Sequence, residues 1–88
     1  MPVLLNLVII LSMTIYYEGL EAGIAAFDAL SEREKGRITS RPEAALAAED
    51  SLHLPSKYRY PPEKYDYTHG FVEGFVGQWA IWFYQQVP

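Results

Sequence analysis

The sequence predicts an all-α fold with an irregular middle. An N-terminal transmembrane helix comes first. Short polar helices and an extended Tyr/Pro strap follow, then a C-terminal aromatic amphipathic helix. Three observations predict this. Val3 to Tyr17 carry no charge, and all seven Lys and Arg residues fall between 33 and 64. Phe71, Phe75, Trp79 and Trp82 recur at helical spacing near the C-terminus.

With 88 residues the chain is one small domain at most. Half of the residues are apolar and 20% are charged, which excludes a disordered tail. Cysteine is absent, and with it go disulfide frameworks, thiolate zinc sites and Cys nucleophiles. The net charge of −4 argues against non-specific nucleic-acid binding. A chain this short buries about 60–65% of the surface its unfolded form exposes. Without staples it needs an unusually good core, a partner or a membrane.

The first segment, 1–30, reads as a membrane helix. The uncharged residues Val3–Tyr17 make a helix of about 22 Å, short of a hydrocarbon core of about 30 Å. Continuing to Phe27 gives about 37 Å, with Glu18 and Glu21 in the last third. Leu4, Leu7, Val8, Leu11 and Ile15 form a stripe, and Asn6 and Ser12 do not amount to a charged face. A helix apolar nearly all round is buried in a large assembly or in lipid. A cleaved signal fits less well, because no Lys or Arg precedes the apolar run. Tyr16 and Tyr17 stand where interface anchors belong.

The second segment, 31–68, holds seven basic and seven acidic residues. Ser31 with Glu34, and Ser40 with Glu43, fit capping boxes. The second introduces a short helix near 41–52 with Pro42 in its first turn. Pro55 stops it. Residues 55–68, with Pro61-Pro62 and Tyr58, Tyr60, Tyr65 and Tyr67, read as an extended polyproline-like strap laid on a partner. The positive-inside rule places this segment on the cytoplasmic, matrix or stromal side.

The third segment, 69–88, reads as a helix to about residue 85, capped by Thr68, spanning the membrane or lying in its interface. Its aromatic face opposes a small, polar one of Gly70, Glu73, Gly74, Gly77 and Gln78. Trp79 and Trp82 are expected as interface anchors. Gly19 with Gly23, and Gly70 with Gly74, are spaced four apart. Small residues at that spacing let helix backbones approach closely, on each other or on neighbours.

Chemistry is sparse. Glu18 and Glu21 are neighbours on one helix face, and Glu73 is the third embedded carboxylate. Solvation or structural ion pairing suits them better than proton relay. His69 could ligate through its imidazole, but a capping or surface histidine is commoner. No nucleophile elbow or phosphate-cradling glycine loop is present. The expectation is no catalysis, no cofactor and no metal. The chain is then a small accessory subunit of a multisubunit membrane complex, acting in assembly and stabilisation. An energy-transducing membrane is one setting for it. Its partners would be other subunits and the lipid bilayer. The alternatives are a soluble or peripheral helical oligomerisation module, and a self-assembling, holin-like membrane protein or regulator.

Overall fold

The computed structural model describes the backbone of residues 2–86 and the side chains of 7–86. Met1, Val87, Pro88 and the side chains of residues 2–6 lie outside the described part, including the ends of the 1–30 and 69–88 segments. Four helices follow in order: α1 (Pro2–Asp28), α2 (Glu32–Gly36), α3 (Arg41–Ser51) and α4 (Pro61–Gln85). The class is all-α, with no strand among the described residues.

The caps explain the short helices. Ser31 Oγ accepts from Glu34 N at 3.1 Å, and Ser31 N donates to Glu34 Oε1 at 3.0 Å. These two bonds satisfy orphan donors at the start of α2. Ser40 Oγ accepts from Glu43 N at 3.3 Å, and Pro42 sits in the first turn of α3. Leu52 turns extended at φ −71° and ψ 127°, and α3 stops.

The 55–68 strap needs correction. Its second half is helical, because α4 begins at Pro61. Pro61 and Pro62 occupy the first helical turn, where a missing N–H costs nothing and a fixed φ is already helical. Tyr60 N donates to Glu63 Oε1 at 3.3 Å and completes the start. Thr68 is therefore interior to the helix and not its cap. At 25 residues α4 is about 37 Å long, against the shorter helix expected from 69.

α1 and α4 pack side by side and run parallel. Ser12 reaches Asp66, Tyr16 reaches Glu73, and Gln78 reaches Asp28, so both numbers rise together. Four glycines make the contact. A Cβ added at Gly23 would fall 2.9 Å from Phe75 N and closer still to the Phe71 carbonyl oxygen. One at Gly70 would fall 2.9 Å from Tyr16 C and closer to its oxygen. Gly19 meets the Tyr67 carbonyl and Gly74 the Leu20 carbonyl in the same way. The two glycine pairs thus dock on each other within one chain. Gly70 and Gly74 are buried, so this part of the small, polar face is a docking surface, while Glu73 and Gly77 beside it are exposed.

Parallel neighbours need a connection that returns the full length of the pair. α2 and α3 provide it. Ala44 and Ala48 are fully buried where α3 packs, mainly on α4. The core gathers Ile15, Phe27, Ile38, Tyr67, Phe71, Phe75 and Trp79 around this junction. Phe27 meets Phe75 edge-on at 5.5 Å between ring centres.

The glycine contact predicts a reversal of the usual alanine rule. Alanine normally stabilises a helix by about 1 kcal/mol over glycine. Gly23→Ala or Gly70→Ala should instead lower stability by about 1–3 kcal/mol, the usual cost of overpacking. Gly77, with nothing within 4 Å of an added Cβ, should follow the rule and gain on Gly77→Ala. Urea unfolding of the three variants checks this; a gain at Gly23 or Gly70 would refute the close contact.

Candidate functional site

Along α1 the environment changes abruptly. From Ile15 onward every fourth residue is buried: Ile15, Gly19, Gly23 and Phe27. N-terminal to that, Leu7, Val8, Ile9, Ile10 and Leu11 each keep between 49 and 64% of their surface exposed. Met13 is half exposed. Five consecutive helical residues cover every direction around the axis, so these turns stand alone on all sides. Ser12 marks the boundary, donating from Oγ to Asp66 Oδ2 at 2.7 Å. Leu7–Asp28 is long and apolar enough to cross a membrane.

The docked half carries polar partners. Lys57 Nζ lies 3.0 Å from Glu18 Oε1, and the Tyr58 hydroxyl donates to Glu18 Oε2. These contacts latch the end of the crossover onto α1. The bond to Glu18 holds the Lys57 ammonium above its ordinary range. Burial, then the bond to Glu18, pushes the Tyr58 phenol up, so it stays a neutral donor. Further along, Tyr16 donates to Glu73 Oε2 at 3.0 Å, and His69 Nε2 lies 2.7 Å from Glu73 Oε1. These bonds, His69 first, hold the Glu73 carboxyl below its usual range. Glu18 and Glu73 are thus structurally paired, and Glu21 is exposed to solvent. Between α3 and α4 lies an open groove of about 400 Å³, lined by Arg41, Ala45, Val72, Glu73, Val76 and Gly77.

Several expected site residues serve other purposes. Trp79 is 5% exposed, and its Nε1 donates to Ile38 O at 2.9 Å. It pins the crossover and anchors no interface. Trp82 packs edge-on against Phe27 at 6.2 Å. Tyr58 and Tyr67 are buried, 5.6 Å apart between ring centres, so they offer nothing to a partner. Tyr60 and Tyr65 are exposed and keep a contact role open. Tyr17 is exposed, and Tyr16 is half-buried against His69. The Glu18–Lys57–Tyr58 latch escaped the sequence reading because its partners lie 40 residues apart. No local pattern encodes that meeting.

Comparison with known proteins returns no match to a family model, a curated protein or a solved structure.

The Glu73 contacts predict a pH dependence. A carboxyl held below its usual range stabilises the fold above the unfolded-state value. That contribution is lost as pH falls through the folded-state value. Stability should therefore drop below about pH 4.5, and Glu73→Gln should flatten part of the drop. The pair is half exposed, so solvent keeps the effect small. Thermal melts from pH 3 to 7 measure it; identical profiles would remove Glu73 from the helix contact. Trp79→Phe should cost about 1–3 kcal/mol by leaving the buried Ile38 carbonyl unpaired, read from urea unfolding. A neutral result would show that the crossover does not need this pin.

Proposed function

We propose that the chain is a non-catalytic accessory subunit of a multisubunit membrane assembly, acting in its assembly and stabilisation. One observation carries the reading: Leu7–Leu11 are exposed all round on a helix whose other half is locked into a folded core. An uncovered apolar helix end in water favours aggregation, so lipid or protein covers it. The buried Ile15, Gly19, Gly23 and Phe27 tie α1 into the core, which supports its retention in the working protein. The α3–α4 groove and the exposed Tyr60 and Tyr65 offer surface to other subunits. Lipid and those subunits are the partners in this reading.

A second reading, a peripheral module that self-associates, is favoured by the charged and polar partners along the docked half of α1. Purification of the tagged chain from native membranes in mild detergent separates the two. The accessory reading expects a carbonate-resistant membrane fraction and stoichiometric partners by mass spectrometry. A soluble chain, or a homo-oligomer alone, would overturn it.

A further inference from the structure

The membrane reading leaves open how α1 meets the bilayer. A crossing by Leu7–Asp28 would carry much of the docked bundle with it. Glu18 would enter with Lys57 and Tyr58, and Tyr16 with Glu73 and His69. Asp28 and Gln78 would follow. Charged groups at that depth are costly, and all of these are held at the flank of α1 by its own fold. The unaccompanied turns are a different case. Leu7 to Leu11 bring no charge, and the Thr14 hydroxyl is satisfied by the Ile10 carbonyl at 2.9 Å.

We infer that only the amino-terminal turns of α1 enter lipid, to the depth of one leaflet, while the bundle stays in water. The inference rests on the membrane reading above. Three observations carry it. The first is length: the exposed apolar turns from Leu7 to Met13 rise about 10 Å, within a half-thickness of about 15 Å, and the polar partners of α1 begin at Ser12. The second is the all-round exposure of Leu7–Leu11. A second helix covers one stripe and leaves the others wet, whereas acyl chains cover every side. The third is the parallel packing. It brings the start of α4 to the same end of the molecule as the apolar turns. Arg59, Tyr60, Lys64 and Tyr65 are all exposed there. Tyrosine favours the headgroup region, and basic residues are drawn to anionic lipid. Two acids lie beside them: Glu63 accepts from Tyr60 N and Asp66 from Ser12. The end therefore presents an apolar prong beside Tyr, Arg and Lys, the composition of a one-leaflet anchor.

The absence of cysteine makes the test direct. Full-length Ile9→Cys and Glu21→Cys carry an environment-sensitive fluorophore and are mixed with phosphatidylcholine–phosphatidylglycerol vesicles. Ile9 should shift to the blue and be quenched by mid-chain lipid quenchers. Glu21 should remain open to a soluble quencher added outside. Arg59→Glu with Lys64→Glu should weaken binding at least about fivefold on anionic vesicles and not on neutral ones. A Glu21 probe quenched by lipid, or reached only from the vesicle interior, shows a crossing; it overturns the one-leaflet inference and leaves the membrane reading standing. An Ile9 probe already blue-shifted before vesicles are added, in a dimer, assigns the prong to a second copy and overturns the inference. If neither probe responds and the chain stays off vesicles, the membrane reading falls with it.

Discussion

Everything in this fold depends on how closely two helix backbones can approach. Gly19 and Gly23 on α1 lie against carbonyls of Tyr67 and Phe71, and Gly70 and Gly74 on α4 lie against those of Tyr16 and Leu20. The arrangement is reciprocal, each helix offering glycines to the other's carbonyls. It leaves no room for a single Cβ, so it sets both the distance and the register. Once that register is set, Phe27 meets Phe75, Gln78 meets Asp28, and Ser12 meets Asp66. Glycine is entropically poor in a helix. Here that cost is offset by the core that the close approach brings together.

Parallel packing has a second consequence. The chain leaves α1 at one end and must re-enter α4 at the other. The crossover is therefore a structural element in its own right, pinned at both ends. Trp79 holds its beginning through the Ile38 carbonyl, and Glu18 holds its end through Lys57 and Tyr58. The alanines of α3 let it lie flat between these pins, with Ala44 and Ala48 fully buried. A polar, charge-balanced middle becomes the third layer of a small core. An 88-residue chain without disulfides gains its burial this way.

Much of this was legible in the residues. The four glycines stood out by their spacing, the caps at Ser31 and Ser40 by their partners three residues on, and the apolar run by its length. Spacing alone does not say whether glycines dock on each other or on a neighbour. Pro61-Pro62 was ambiguous for a specific reason: the same fixed φ suits a polyproline strap and the first turn of a helix. What decides is the helix that follows, and α4 gains its stability from docking on α1. The tyrosines divided for the same reason. Tyr58 and Tyr67 turned inward because the crossover returns past α4, while Tyr60 and Tyr65 stayed out.

By itself the sequence determined the helical class, the capped starts of the short helices at Ser31 and Ser40 and the apolar character of the N-terminus, because each is encoded within a few neighbouring residues. Only the tertiary structure decided that the two long helices run parallel. It also decided that Trp79 is a buried pin and that α1 is divided at Ser12 into a docked half and an unaccompanied one. These properties depend on contacts between residues 40 to 57 positions apart. Such contacts form only when the whole chain has closed upon itself.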